Sequence, residues 1–174
     1  MYADTTLYDS QYLCNLLKTR LTDMYIQTFF HNLSVDSGKL RFYRKCKTEY
    51  CIERYLELVN FEQRSAISKI RLSAHPLEIE KGRYTKTPVC ERICKYCSSN
   101  AVEDESHFIS SCPFNDDKRS TLFTEAAKIF SYFPSITDEE RTILLLKSKN
   151  PQIIDEVGKF VFHCLQRRSQ TQPS

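Results

Sequence analysis

Glycine and proline are scarce in this 174-residue chain, which has only three glycines and six prolines. A strand-rich sandwich or barrel needs many tight turns, and these two residues supply most of them, so their scarcity argues against such folds. Leucine, isoleucine, lysine and glutamate are plentiful instead, and they favour helices. We expect a mainly α fold, with one domain or one domain and a small appendage.

Long hydrophobic runs are also missing. The longest aliphatic stretch covers residues 143–146, far short of the roughly 18 apolar residues that a membrane span needs. The amino terminus shows no basic segment followed by an apolar stretch, as a secretory signal would. We therefore expect an intracellular protein, nuclear or cytoplasmic, that has no membrane partner. In a reducing compartment its eight cysteines should be thiols or metal ligands rather than disulfides.

Neither sign of charge dominates, because 25 lysines and arginines stand against 22 aspartates and glutamates, for a formal net charge of +3. This balance permits a nucleic-acid partner without requiring one. The three glycines are isolated and form no phosphate-cradling loop. No pair of polar residues has an assignable acid, base or nucleophile role, so we expect neither an enzyme nor a small-molecule substrate.

Helical periodicity lies on both sides of a cysteine cluster. Apolar residues at spacings of three and four predict a first amphipathic helix over about residues 10–33. Capping residues or a proline at the first helical position predict later helices. These helices should begin at Asn60, Pro113, Thr137 and Asn150. Gly82 predicts a break, and the polar residues 169–174 predict a frayed tail.

The cysteine cluster has the spacing of a zinc site. Cys94 and Cys97 form a C-x2-C turn that points two thiolates at one place, and His107 with Cys112 can supply the other two ligands. The full pattern is C-x2-C-x9-H-x4-C, a closed set of four ligands that predicts one structural Zn²⁺ ion. On an ideal helix, side chains five residues apart point in directions that differ by about 140°, so His107 and Cys112 could not share a face. The chain must therefore uncoil before Cys112. Cys90 remains an alternative ligand.

Zn²⁺ with three thiolates carries a formal charge of −1. Arg92 and Lys95 lie close to the ligands in sequence, and we expect them to offset this charge. The prediction is therefore a helical domain with a small embedded CCHC zinc-binding motif. Its parts are a helical segment over residues 1–89, the motif over 90–115, carboxyl-terminal helices over 116–168 and the tail over 169–174.

The residues around the ligands resemble a known family. Residues 69–84, 91–97 and 102–108, together with Cys112-Pro113, are similar to the cysteine/histidine segment at the carboxyl end of non-LTR retrotransposon reverse transcriptases. Residues 20–50 resemble the sequence that precedes this segment. The similarity extends over about residues 16–168 and is most specific around the ligands.

This resemblance implies a zinc-binding module that lies downstream of a polymerase and helps it to engage nucleic acid. The matching positions again make Cys94, Cys97, His107 and Cys112 the ligands. Polymerase activity is not implied, because 174 residues cannot hold fingers, palm and thumb. Residues 2–5 superficially resemble a polymerase metal-binding turn, but the second aspartate is replaced by threonine.

Two segments combine basic and aromatic residues. Cationic side chains neutralise phosphates and exposed rings stack on unpaired bases, so such mixtures suit RNA or single-stranded DNA. The candidate contacts are Arg41, Arg44, Lys45, Lys47, Lys81 and Arg83. The first segment surrounds Phe42 and Tyr43, and the second, with Lys86, surrounds Tyr84. The alternative is a solvated face whose aromatic side chains point into the core.

The favoured function is non-catalytic nucleic-acid binding by a zinc-containing protein derived from a reverse transcriptase tail. A different class of function also fits, in which zinc stabilises a helical scaffold and the apolar face of the first or last helix binds a protein partner. A remnant without a selected function is the third interpretation.

Overall fold

The computed structural model describes residues 10–35 and 40–171. Within these ranges the protein forms eight α-helices and no β-strand, which confirms the mainly α prediction. The helices are α1 (Ser10–Val35), α2 (Tyr43–Cys46), α3 (Tyr55–Leu58), α4 (Phe61–Arg71), α5 (Glu78–Tyr84), α6 (Asp116–Ile129), α7 (Asp138–Lys147) and α8 (Pro151–Gln170). None of them is both long enough and apolar enough to cross a membrane.

The chain divides into two compact units, residues 1–38 and 39–174. Helix α1 is the described part of the first unit, and it confirms the helix predicted over residues 10–33. Several of its apolar side chains are exposed, among them Leu17, Leu21 and Met24. The turn predicted after it lies outside the described residues. The predicted boundaries after residues 89 and 115 both fall inside the second unit.

Helix α8 is the central element of the second unit and packs against α3, α4, α6 and α7. Its apolar face is almost fully buried, including Ile153, Val157 and Val161. Each such side chain contributes about 1.5–3 kcal/mol of burial free energy. The helix continues to Gln170, so residues 169 and 170, which were predicted to fray, are helical. Residues 172–174 of the predicted tail lie outside the described residues.

The predicted helix starts are formed by the expected caps. Asn60 accepts a hydrogen bond from the backbone N–H of Gln63 at the start of α4. Thr137 and Glu140 form both halves of the capping box before α7. Asn150 caps α8, with Pro151 at the first helical position. These short polar side chains satisfy amide groups that have no partner within the helix.

The break predicted at Gly82 is wrong, whereas the helical segment predicted from Pro113 does start there. Gly82 lies inside α5 rather than at a break, because the chain packs closely there: a Cβ atom on Gly82 would lie 2.4 Å from Nε of Arg92. The segment that starts at Pro113 first makes a short 3₁₀ turn over Pro113–Asn115, and α6 follows from Asp116. Helix α6 ends at Ile129 because Phe130 takes an extended backbone conformation.

Candidate metal centre

A tight turn between two paired segments carries Cys94 and Cys97. Ile93 and Val102 form an isolated antiparallel bridge, and the backbone N–H of Cys94 donates to the carbonyl of Ala101 at 2.9 Å. Asn100 takes a positive φ of 53°, a conformation that asparagine tolerates better than most residues. The predicted C-x2-C turn therefore sits on a fixed hairpin-like base.

A single π-helical turn, His107–Ser111, brings the other two ligands together. The side chain of Asp104 accepts from the backbone N–H of His107 at 2.8 Å and caps the turn. The N–H of Cys112 then bonds the carbonyl of His107 at 2.7 Å, an i to i+5 contact, and the chain becomes extended at Cys112. This wide turn avoids the 140° offset that a regular α-helix would impose on residues five apart.

The four ligand atoms lie within 4.8 Å of one another. The Sγ atoms of Cys94 and Cys112 are 3.9 Å apart, and Sγ of Cys97 is 3.4 Å from Nε2 of His107. Tetrahedral zinc with Zn–S bonds of about 2.3 Å places two thiolates about 3.8 Å apart, so these separations suit it. Cys97 is half-buried and the other three ligands are buried. The cluster can hold one metal ion.

The buried thiols of Cys94 and Cys112 titrate unequally. The hydrogen bond with Cys112 is the largest influence on Cys94 and, against the opposing effect of burial, lowers the pKa of Cys94 to about 3. The same hydrogen bond, together with burial, raises the pKa of Cys112. A cation binds cysteine as the thiolate, so metal binding must displace the protons that these two thiols still hold.

Arg168 of α8 contacts the sulfur cluster, and its exposed fraction is only 4%. Its Nη2 donates to Sγ of Cys112 at 3.3 Å, and its Nη1 pairs with Oε1 of Glu103. The guanidinium lies 4.7 Å from the ring centroid of Tyr96 and 4.8 Å from that of Phe108. Burial lowers the pKa of Arg168, and the neighbouring Cys94 opposes this, but a guanidinium remains charged at neutral pH. Arg168 supplies positive charge directly beside the ligands.

The two residues expected in that role have other partners. Arg92 donates to the carbonyls of Thr87 and Ile79, at 2.9 and 2.6 Å, and so fixes the segment after α5. Lys95 pairs with Glu78 at 3.1 Å. Their effect on the charge of the centre stays a prediction, whereas Arg168 is in direct contact with a ligand sulfur. Arg168 is 56 residues from Cys112, and no signal along the sequence connects the two.

Glu103 ties the cluster to helix α5. Its Oε1 lies 3.4 Å from Sγ of Cys94, and its Oε2 accepts from the backbone N–H of Glu78, the first residue of α5, at 2.8 Å. Its carbonyl accepts from the N–H of Ile79 at 3.1 Å. The Glu103 side chain is fully buried. The position of α5 therefore depends on the segment that carries the ligands.

The remaining cysteines lie outside the cluster. Cys90, the alternative ligand, is exposed, and the four clustered ligands do not include it. Cys14 and Cys51 are exposed, whereas Cys46 and Cys164 are buried. Burial raises the pKa of the Cys46 and Cys164 thiols to about 12 each. The described structure thus separates three exposed thiols, three clustered ones and two in the core.

Two of the candidate phosphate contacts serve internal ion pairs instead. Nη2 of Arg41 lies 2.9 Å from both carboxylate oxygens of buried Glu105, which also bonds Nε2 of His75 at 3.0 Å. Lys47 is buried and pairs with Glu53 at 2.8 Å. These positions correct the prediction for Arg41 and Lys47, because their charges are already compensated inside the fold.

The other two candidate phosphate contacts of the first basic segment, Arg44 and Lys45, are exposed, but the aromatic rings between the basic residues are not. Lys45 pairs with Glu139 at 2.5 Å on the surface. Arg44 is exposed and makes no ion pair with a described residue. Phe42 is buried and Tyr43 is half-buried, so the aromatic rings of this segment belong to the core, as the alternative interpretation stated.

The second basic segment has a different character. Lys81 pairs with Glu78 at 3.0 Å, and Arg83 pairs with buried Glu80 at 2.7 Å. The Tyr84 side chain is 81% exposed and stands at the end of α5 between them and exposed Lys86. Here an aromatic ring reaches solvent among cationic side chains.

Comparison of the chain with protein-family models, with curated proteins and with solved structures gives no match. The resemblance to the reverse transcriptase segment therefore stays a prediction from the sequence.

Proposed function

We propose that this protein is a non-catalytic nucleic-acid-binding module, derived from a retrotransposon reverse transcriptase tail and held together by one structural zinc ion. The observation that carries the proposal is the exposed ring of Tyr84 among cationic side chains, on a helix that is bonded to the metal-ligand segment.

Zinc suits the cluster because three thiolates and one imidazole are a donor set that this ion prefers. Four protein ligands would complete the coordination of a tetrahedral ion and leave no open position for water or substrate, as in structural rather than catalytic sites. Two further residues support the centre. Arg168 offsets the negative charge of the ligand sulfurs, and Glu103 connects the ligand segment to α5 by accepting from the backbone N–H of Glu78.

Tyr84 supplies the contact to nucleic acid in this proposal. Unpaired bases stack on exposed aromatic rings, and each such contact contributes about 1–3 kcal/mol by alanine substitution. Lys81 lies one helical turn before Tyr84, Arg83 and Lys86 are exposed within two residues of it, and these cations can neutralise phosphates. Surface ion pairs such as Lys81–Glu78 are weak and exchange readily, so they do not prevent phosphate contacts. Binding of this kind favours single strands and has little sequence preference.

The test is fluorescence anisotropy with labelled single-stranded RNA, single-stranded DNA and duplex DNA, titrated with the zinc-loaded protein over a series of salt concentrations. We expect single strands to bind more tightly than the duplex, with log affinity falling linearly with log salt. Tyr84→Ala should weaken binding about 5- to 150-fold. Tyr132→Ala is the matched control, since Tyr132 is also exposed and lies in the turn after α6, away from α5 in sequence. No binding at low salt, or an equal effect of both substitutions, would contradict the proposal.

The exposed apolar side chains of α1 favour a second candidate, a zinc-stabilised protein-interaction module. Leu17, Leu21 and Met24 are each more than half exposed. The last helix is less suited to this role, because the apolar face of α8 is buried in the core. Concentration-dependent size in light scattering, with no response to RNA, would select this candidate instead.

A further inference from the structure

A small cavity opens where helices α2, α4 and α7 end in the second unit. Its volume is about 40 Å³, and one water needs roughly 10–15 Å³ on this scale, so it has room for a small polyatomic ion but not for a nucleotide base. Its walls come from residues 46–49 and 51–55, from Arg71 and from residues 147–149. Neither the zinc ligands nor the Tyr84 surface contributes to it.

Arg71 is the buried charge of this cavity, with an exposed fraction of 2%. Its Nη1 pairs with Glu53 at 3.0 Å and donates to the carbonyl of Leu146 at 2.9 Å. Its guanidinium lies over the rings of Tyr43 and Tyr55, 5.7 and 5.2 Å from the centroids. Its Nε and Nη2 have no hydrogen-bond partner among the described residues. A buried guanidinium with two unused donors is costly unless an acceptor reaches it.

Positive charge exceeds negative charge around the cavity. Five cationic side chains line it, and only two carboxylates do. The cations are Lys47, Arg54, Arg71, Lys147 and Lys149. Glu53 pairs with Lys47 and Arg71, and Glu49 pairs with Lys149. Arg54 and Lys147 are exposed and make no ion pair with a described residue.

Some of this charge balances the carbonyl ends of the helices that meet here, as the bond from Arg71 to Leu146 shows. That role uses one nitrogen of Arg71 and, through its position as the last residue of α7, the charge of Lys147, which still has no carboxylate partner among the described residues. Arg71 with two unused buried donors and the two unpaired cations Arg54 and Lys147 therefore line a cavity of the size of one tetrahedral oxyanion. Guanidinium groups bind phosphate oxygens through several N–H donors at once, which a point charge cannot do.

We propose that this cavity binds a single phosphate group, with Arg71 at its base and Arg54 and Lys147 at its mouth. The group can be free inorganic phosphate or the terminal phosphate of a nucleic-acid strand, and both present the same tetrahedral dianion. The proposal stands independently of the function proposed above, because it uses a different surface.

The experiment measures binding of inorganic phosphate to the zinc-loaded full chain, by phosphorus NMR line broadening and by the melting temperature in a phosphate-free buffer of constant ionic strength. We expect saturable broadening and a melting temperature that rises with phosphate concentration. Lys147→Gln and Arg54→Gln, both at exposed positions, should each weaken binding about tenfold. Lys118→Gln is the matched control, since Lys118 is an exposed lysine of α6 away from the cavity.

A second arm separates the two sources of phosphate. A labelled oligonucleotide with a 5′-phosphate is compared with the same strand ending in a hydroxyl, each in competition with inorganic phosphate. A preference for the phosphorylated strand that free phosphate abolishes identifies a strand end as the ligand, and binding of inorganic phosphate alone identifies the free anion. Either result supports the site. Absence of saturable phosphate binding, or equal binding by all three variants and the wild type, would overturn it.

Discussion

The guanidinium of Arg168 donates a hydrogen bond to the Sγ atom of Cys112 over 3.3 Å, across 56 residues of sequence. The same side chain pairs with Glu103, so one buried cation faces a thiol ligand and a carboxylate together. With zinc bound, three thiolates leave the centre with a formal charge of −1, and Glu103 adds another negative charge. Arg168 therefore joins the last helix to the metal centre and stabilises both anionic groups.

Replacing Arg168 should harm stability and metal affinity together. Arg168→Ala leaves Glu103 and the ligand thiolates buried without their cation, a loss that typically costs about 3–5 kcal/mol. Loss of a group that supports a ligand typically lowers metal affinity about 10- to 100-fold. Urea unfolding and competition with a chromophoric chelator measure the two effects.

Arg167→Gln provides the control for Arg168. Arg167 pairs with Asp117 at 2.6 Å on the surface, where an ion pair contributes at most about 1 kcal/mol. We expect Arg167→Gln to leave zinc affinity unchanged. Equal losses of metal affinity in the two variants would show that Arg168 has no special relation to the centre.

The eight cysteines should react with a thiol reagent in three classes. Cys14, Cys51 and Cys90 are exposed and should react first in the zinc-loaded protein. A chelator should then release the three ligand cysteines, and the two core cysteines should react only after denaturation. Reaction of more than three thiols before chelation, identified by peptide mass mapping, would contradict the assignment.

Alkaline pH should destabilise the fold through the core thiols. Burial raises the pKa of Cys46 and Cys164 to about 12, whereas an unfolded cysteine titrates near 8.5. Below the unfolded pKa both states keep the proton and the stability is fully present. Above it the unfolded state ionises first, so stability falls as pH rises towards 12, by up to roughly 1.4 kcal/mol per pH unit for each thiol.

Urea midpoints at pH 8 and pH 10.5 measure this slope. Cys164→Ala should show a shallower decrease than the wild type, even if its stability at pH 8 is lower. Cys90→Ala replaces an exposed thiol and should keep the wild-type slope. A slope that is the same in all three proteins would rule out the core thiols as its source.

Gly82→Ala should destabilise the protein although alanine is the better helix former by about 1 kcal/mol. A Cβ atom there would lie 2.4–2.6 Å from three atoms of the Arg92 side chain, which holds the carbonyls of Thr87 and Ile79. Overpacking of this kind costs about 1–3 kcal/mol. In a double-mutant cycle, Arg92→Ala should remove most of the Gly82→Ala penalty, and purely additive effects would contradict this origin.

Local signals predicted the starts of α4, α7 and α8 but not helix α5, where a break was expected. Asn60, Thr137 and Asn150 act within three residues of themselves, so their caps can be read from sequence. Gly82 was misassigned because its partner, Arg92, lies outside the helix. A glycine required by close packing has the same sequence signal as a glycine in a turn.

In the candidate site, too, the residues that follow a local sequence pattern were predicted and those that depend on tertiary packing were not. The spacing of Cys94, Cys97, His107 and Cys112 is a local pattern, and these four residues do come together. Arg168 could not be predicted, because its approach depends on how α8 packs. Contacts between distant segments also place Arg41 and Lys47 in internal ion pairs, which composition alone could not distinguish from a phosphate-binding surface.

The most direct test of the metal centre is native mass spectrometry of protein purified with zinc present, for the wild type, Cys97→Ser and Cys90→Ser. The account predicts one zinc ion per chain in the wild type and in Cys90→Ser, since Cys90 is exposed and outside the cluster. Cys97→Ser should lose the stoichiometric ion, and hydrogen exchange should then rise over residues 90–115 and in α5. Full zinc occupancy in Cys97→Ser, or a wild type that binds no zinc, would contradict it.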